Sequence, residues 1–159
     1  RDIFPLIRHE IPDAILHIVG SRAVKSVEKL GSEPGTTFHG RVEDIRPYYR
    51  RASVVMVTIL SGGGTRLKVL EAAALGKAIV STTIGAEGLD FQGGRDIVIA
   101  DTPRDFARAA VRFAKNSAMR HEFGLRAREA SLHYDWNKIE MKLLSLFDDL
   151  SLRRRLFHY

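Results

Sequence analysis

Short apolar runs of strand length alternate with longer amphipathic stretches of helix length along the whole chain. This alternation is typical of β–α units on a parallel sheet. The run 53–59 is β-branched and nearly all apolar, which is the composition of a central strand covered on both faces. Strands are predicted over residues 14–19, 36–38, 53–59, 78–82 and 97–100.

The stretches between these runs predict helices, and glycine and proline mark several of their ends. Gly31 and Gly76 stand where two helices would stop, and Pro47 falls in the first turn of another. Helices are predicted over residues 24–30, 43–51, 65–75, 103–115, 117–130 and 136–150. Because no linker interrupts the pattern, residues 1–159 are predicted to form a single α/β domain.

Composition and charge narrow the function classes. Hydrophobic residues make up 45% and charged residues 28%, as in folded globular proteins. The chain has no cysteine, which excludes disulfides, zinc–thiolate sites, iron–sulfur clusters and thiol nucleophiles. The net charge of +6 favours an anionic partner: a phosphorylated ligand, an anionic membrane or a nucleic acid. The run Arg153-Arg154-Arg155 is interpreted either as a solvated tail or as a basic patch near a membrane.

The stretch Ser61–Gly76 is the most informative about a binding site. Its glycines leave backbone N–H groups uncovered between a buried strand and a helix, and a helix start adds unpaired donors and the positive end of its dipole. An anion is therefore expected there. Arg66 and Lys68 fall in the first helical turn, where cations oppose the dipole, so an anion from outside the chain is expected to neutralise them. The alternative is a flexible glycine loop with two solvated cations.

Glu71 is unusual because its helical neighbours are apolar, and a carboxylate in such surroundings needs a partner. Its distance from the glycine loop suits the ribose of a bound nucleoside diphosphate, whose vicinal hydroxyls a carboxylate can accept. A salt bridge to a nearby Arg or Lys is the alternative.

Several catalytic motifs are absent from the sequence. The order G-x-x-x-x-G-K-[ST] does not occur, and neither G-x-G-x-x-G after the first strand nor G-x-S-x-G is found. The six histidines lack metal-ligand spacing, His133 and His158 being the nearest to a pair, and are interpreted as surface or helix-packing residues. Catalysis by this chain alone is not expected.

The order of several short motifs is distinctive. It comprises Leu16–Gly20, Phe38–Asp44, Tyr48–Ala52, Gly62–Gly76, Ala78–Thr82, Gly85–Gly88 and Tyr134–Trp136. In this order they resemble the C-terminal, donor-binding domain of retaining glycosyltransferases of group 1 (family 4). The resemblance covers nearly the whole chain and is weakest in the helices after Lys115.

The resemblance implies one half of a GT-B fold, a Rossmann-like parallel β-sheet between helices. It implies transfer of a sugar from a nucleotide-diphosphate sugar to a polysaccharide or glycolipid, with retention, in partnership with an N-terminal acceptor domain outside this chain. The sugar nucleotide is then a substrate, and neither a cofactor nor a metal is expected. A cytoplasmic location, with peripheral contact at the inner face of a membrane and no nucleic-acid partner, is also expected.

The resemblance assigns roles residue by residue. Gly64, Thr65 and Arg66 match the loop and helix start that meet the donor diphosphate. Together with Gly63 and Lys68, which the chemistry of the glycine loop indicates, they are the residues expected at the diphosphate. Glu71 matches the second Glu of the family's E-x7-E motif and is expected at the ribose. The turn expected at the base comprises Gly40, Arg41 and Val42. The loop facing the interdomain cleft comprises Gly20 and Ser21.

Two departures from the family pattern keep other functions open. The first Glu of E-x7-E, which meets the donor sugar, falls at Gly63, and a basic Arg and Lys pair of the family would precede Arg1. One alternative is therefore an inactive nucleotide-binding or regulatory module. A flavodoxin-like signalling domain needs an acidic cluster after its first strand, whereas residues 20–22 are basic. Nucleic-acid binding rests on charge alone, since no basic stripe with aromatic residues is found.

Overall fold

The computed structural model describes residues 2–20, 27 and 29–156, without the side chains of 149 and 151–156. Five strands and seven α-helices lie in this part of the chain. The strands are β1 (Leu16–Val19), β2 (Thr36–Gly40), β3 (Val55–Val57), β4 (Ile79–Ser81) and β5 (Val98–Ile99). The helices are α1 (Phe4–Glu10), α2 (Arg46–Arg51), α3 (Leu67–Ala74), α4 (Thr83–Ala86), α5 (Pro103–Lys115), α6 (Ser117–Ser131) and α7 (Trp136–Leu156). Short 3-10 turns cover Lys29–Ser32 and Leu132–Tyr134.

All strand pairs are parallel, as predicted. β1 pairs with β2, with Leu16 opposite Thr36, and β3, β4 and β5 form a second set in that order, with Val55 opposite Ile79. The sequence predicted one sheet, but no backbone hydrogen bond joins β1 to β3 within the described residues. Side-chain packing connects the two sets instead, because Ala14, just before β1, packs in one cluster with Ile7 of α1 and Met56 of β3. The α/β class is confirmed.

The main core lies under α3, between the β3–β4 pair and α6. α3 buries Val69, Ala72 and Ala73, which belong to one hydrophobic cluster with Val57 and Ile79. A second cluster lies under α5 and α6, where the rings of Phe113 and Phe123 meet edge to face at 5.1 Å. The first cluster fixes the position of α3, and therefore of the loop that precedes it.

One contact between two glycines brings α3 and α6 together. Gly76, just after α3, has φ 64°, a left-handed conformation that favours glycine at a helix end. Its carbonyl oxygen occupies the space that a β-carbon on Gly124 of α6 would need. The two helices can therefore approach this closely only without a side chain at position 124.

The helix predictions are accurate in the second half of the chain and weaker in the first. α5 has the predicted bounds, because Thr102 caps its first turn and Pro103 opens it. α1 and α4 were not predicted: α1 has only seven residues and depends on packing against α5, which local patterns do not reveal. The predicted helix 24–30 lies largely outside the described residues.

α7 leaves most of its apolar side chains exposed, including Trp136 (81% exposed) and Phe147 (61%). The run Arg153–Arg155 lies near its end, where side chains are outside the described part. Among the helices of the described ranges, none has both the length and the apolarity needed to span a membrane.

Candidate functional site

The glycine-rich loop 61–66 leads from the carboxyl end of β3 to the start of α3. Gly62 and Gly64 have φ 113° and 98°, so a side chain at either position would be strained. A β-carbon on any of the three glycines, 62–64, would meet no atom within 4 Å. Among the described residues, no backbone acceptor binds the N–H groups of Gly63, Gly64 or Thr65. The loop is thus an open row of donors at a helix start, as the sequence predicted.

Arg66 does not lie where the sequence placed it. It precedes α3 as the N-cap residue, and its side chain is buried, with 6% exposed. The guanidinium Nη2 donates to the Gly62 carbonyl at 3.1 Å and to Glu87 Oε2 at 3.0 Å. The expectation of an external anion neutralising Arg66 is therefore wrong, because Glu87 of the same chain is its counter-charge. Its Nε is buried and has no partner among the described residues.

Lys68 differs from Arg66 in being exposed. It lies in the first turn of α3, and within the described residues it forms no ion pair. A cation in this position opposes the helix dipole but can reach an anion held at the loop. Of the two predicted cations, Lys68 is the one whose charge the rest of the described chain leaves uncompensated.

Glu71 projects from α3 on the side of α2. Its side chain is exposed, which corrects the expectation of apolar surroundings, and neither Arg nor Lys pairs with it in the described part of the chain. Its partner is Tyr49, whose hydroxyl donates to Glu71 Oε2 at 3.0 Å. Burial, and then the Glu71 charge and hydrogen bond, raise the pKa of Tyr49 well above its usual range. Tyr49 therefore stays neutral and donates to Glu71 at any working pH.

The carboxyl ends of β1 and β2 meet beside α2. The Gly20 N–H donates to the Gly40 carbonyl at 2.8 Å, and Gly40 has φ 64°, which turns the chain into the exposed Arg41 and half-buried Val42. Ser21, predicted with Gly20 in a cleft loop, lies outside the described residues. The structure thus brings Gly20 and Gly40 together at the carboxyl end of the β1–β2 pair. This end lies on the α2 side of Glu71, because His39 of β2 approaches Tyr48 of α2 and the neighbouring Tyr49 binds Glu71.

A pair of histidines was not predicted. His17 Nδ1 and His39 Nε2 lie 2.9 Å apart, and the His39 ring lies 4.7 Å from that of Tyr48, next to Tyr49. The histidines were interpreted as surface or packing residues, and only the β1–β2 pairing brings these two together. Within the described ranges no cluster of three or more His, Cys, Asp or Glu residues could hold a metal ion.

Glu87 is a further residue that sequence reasoning missed as part of the site. It follows α4, which begins after β4, where Asp101 accepts from both the N–H and the hydroxyl of Thr83 at 2.7 Å. The motif Gly85–Gly88 was visible in the sequence, but only the fold shows that its carboxylate faces the loop after β3. The site is therefore bordered by Glu71 on the α2 side and Glu87 on the β4 side.

Comparison with known proteins assigns this arrangement to a family. The family model described as "Glycosyl transferases group 1" matches residues 1–116. The chain belongs to the group 1 glycosyltransferases. The resemblance drawn from the motif order is confirmed at the level of this family.

Two relatives illustrate the extent of the likeness. The Klebsiella pneumoniae protein named "Uncharacterized 44.6 kDa protein in cps region" is 27% identical over 133 residues, 79% of this chain and 34% of that protein. The crystal structure of TarM is similar in fold, with a TM-score of 0.76 and 21% identity, over 89% of this chain and 30% of the TarM chain. This group 1 glycosyltransferase chain thus spans about a third of the length of the relatives it matches.

Proposed function

We propose that the chain is the donor-binding half of an enzyme that transfers a sugar from a nucleotide-diphosphate sugar to an acceptor with retention. The observation that carries this proposal is the open row of N–H donors at the start of α3, bordered by the exposed Lys68 and by Glu71. Membership of the group 1 glycosyltransferases supports sugar transfer. Retention and the role as donor half come from the family resemblance.

The donor would lie across the carboxyl edge of the strands. Its diphosphate would accept from the N–H groups of Gly63, Gly64 and Thr65 and face Lys68. Glu71 follows the start of α3 by about 6 Å along the helix axis, at 1.5 Å per residue, and would accept from the ribose hydroxyls. The base would lie toward the turn of Gly40, Arg41 and Val42, since α2 joins the β1–β2 pair to Glu71: Tyr48 approaches His39 of β2, and Tyr49 binds Glu71.

Charge stabilisation would be the main catalytic contribution of these residues. As the bond between sugar and diphosphate breaks, negative charge grows on the leaving diphosphate. Fixed N–H donors and the Lys68 ammonium would stabilise that charge without having to reorient. Arg66 would act indirectly, since Glu87 already compensates its charge. A cofactor and a metal are not part of this proposal.

The acceptor would be held by a second, N-terminal domain, and we propose a polysaccharide or glycolipid acceptor. The cps-region name of the Klebsiella relative supports a polysaccharide. The net charge of +6 supports peripheral contact with an anionic membrane from the cytoplasmic side, and no nucleic-acid partner is proposed.

Isothermal titration calorimetry tests the donor site on the chain itself. UDP, GDP and ADP, each with its sugar nucleotides, are titrated into the chain and into Glu71→Ala. We expect one nucleotide to bind and Glu71→Ala to weaken it at least tenfold, whereas Glu129→Ala, an exposed glutamate on α6, leaves binding unchanged. Absence of binding at millimolar concentration would contradict the proposal. Binding without turnover by the full-length enzyme would favour the inactive module.

A further inference from the structure

Glu87 combines a fixed position with a free oxygen. It directly follows α4 as the C-cap residue, and Gly88 after it has φ 77°, so the chain turns away at once. Its Oε2 accepts from Arg66, but its Oε1 has no hydrogen-bond partner in the part of the chain that the structure describes. The side chain is 69% exposed. Half of this carboxylate is thus anchored and half is open.

The contact with Arg66 determines where the free Oε1 of Glu87 lies. Arg66 is buried, and its Nη2 binds both the Gly62 carbonyl and Glu87 Oε2, so the carboxylate sits at the rim of the glycine loop. Separating a buried guanidinium from its counter-charge would leave an uncompensated buried charge, which is costly, so Arg66 holds Glu87 at this position. The position of Glu87 is thus tied to the glycine loop, although Glu87 comes from the segment after β4 and α4.

The chemistry of a carboxylate limits what can bind beside it. An ionised carboxylate only accepts hydrogen bonds, and it repels phosphate oxygens. The part of a ligand next to Glu87 must therefore be neutral and rich in donors, as sugar hydroxyls are. A ligand whose diphosphate lies on the loop has two ends, and the carboxylates border the loop on two sides: Glu71 toward α2 and Glu87 toward β4.

We propose that Glu87 binds hydroxyl groups of the donor sugar through its free Oε1, and that Arg66 holds it for this task. The inference rests on the proposed donor site and adds to it a residue that distinguishes the sugar from the nucleotide. Glu87 is then a sugar-binding residue and Arg66 a positioning residue. The ligand would run from the β2 side to the β4 side of the carboxyl edge.

The test compares each nucleoside diphosphate with its sugar nucleotide in the unsubstituted chain and in Glu87→Gln. UDP with UDP-glucose, and GDP with GDP-mannose, are titrated by calorimetry. We expect the affinity for the diphosphate alone to change less than twofold and the affinity for the sugar nucleotide to fall at least fivefold. Asp90→Asn is the matched control, an exposed acid three residues further along the same loop whose side chain makes no hydrogen bond among the described residues.

Each outcome decides between the two proposals. If Glu87→Gln weakens binding of the nucleoside diphosphate and of its sugar nucleotide equally, Glu87 only supports Arg66. If the unsubstituted chain binds the two ligands with equal affinity, no sugar contact exists. Either result overturns the inference about Glu87 but leaves the proposed donor site. No binding of any probe by the unsubstituted chain overturns both. Glu87→Asp, which keeps the charge on a shorter side chain, repeats the test if thermal denaturation shows that Glu87→Gln fails to fold.

Discussion

Tyr49→Phe isolates the contact that positions Glu71. Tyr49 is buried, with 8% exposed, and its ring belongs to the main core cluster, whereas its hydroxyl donates to Glu71 Oε2 at 3.0 Å. Phenylalanine keeps the ring and removes only the oxygen. The hydroxyl also reaches the Lys68 carbonyl at 3.5 Å, the limit of a hydrogen bond, so the Glu71 contact is the main loss.

The magnitude follows from the exposure of the acceptor. A hydrogen bond to a charged group contributes about 1.5–3 kcal/mol. Glu71 is exposed, so water replaces much of the lost donor, and we expect the free energy of unfolding to fall by about 1 kcal/mol. For a chain of this size that lowers the Tm by about 2–4 °C.

The pH dependence has a definite sign. The pKa of Tyr49 is raised in the folded chain above its ordinary value of 10.0, by burial first and by Glu71 second. The stabilisation is therefore fully present below pH 10.0 and is lost as the pH rises further, because the unfolded chain then releases the phenol proton first. The stability advantage over Tyr49→Phe should be constant from pH 7 to 10 and shrink above it.

Urea denaturation monitored by circular dichroism measures these differences. Tyr48→Phe on the same helix is the control, since its hydroxyl makes only a 3.4 Å contact with His39. A double-mutant cycle with Glu71→Gln should give a coupling energy of about 0.5–1 kcal/mol. Additive effects, or a Tyr49→Phe variant as stable as the unsubstituted chain, would refute the reasoning.

Three further changes test other parts of the structure. Lys68→Ala should weaken calorimetrically measured nucleoside diphosphate binding about threefold to tenfold, and the loss should shrink with added salt because an exposed charge is screened. Gly124→Ala should lower the free energy of unfolding in urea by about 3 kcal/mol, because the new methyl group meets the Gly76 carbonyl. Asp101→Ala should lower the Tm at pH 7, because hydrogen bonds from Thr83 stabilise the ionised Asp101 carboxylate and depress its pKa. The difference in Tm from the unsubstituted chain should close as the pH falls below 3.8, because protonation of Asp101 removes this stabilisation.

Matched variants accompany these changes. Lys138→Ala removes an exposed cation on α7, away from the loop, and should leave nucleotide affinity unchanged. Gly63→Ala adds a methyl group in open space without a left-handed φ and should leave stability nearly unchanged. Equal losses of nucleotide affinity in Lys68→Ala and Lys138→Ala, or equal losses of stability in Gly124→Ala and Gly63→Ala, would contradict the first two predictions. A Tm difference between Asp101→Ala and the unsubstituted chain that does not depend on pH would contradict the third.

Local sequence signals predicted elements whose stability is local. The bounds of α5 follow from Thr102, Pro103 and Asn116, each of which acts within one helical turn. α1 has Pro5 in its first turn but no capping side chain, and it is held by Ile7 against α5, a contact between residues about a hundred positions apart. The pairing of β1 with β2 and the separate β3–β5 set depend on the same kind of distant packing. The alternation of patterns therefore predicted the class but not how the strands are divided.

The same distinction explains what could be predicted at the site. Glycine and helix-start chemistry are local, so the donor row at Gly63, Gly64 and Thr65 could be derived from the sequence. Charge compensation is not local: Glu87 lies 21 residues after Arg66, and only the packing of β4 beside β3 brings the two together. A cation near a phosphate-binding motif is therefore weak grounds for a direct contact with the anion. Lys68, which nothing in the described chain compensates, is the stronger candidate, and the effect of Arg66 on binding should depend on Glu87.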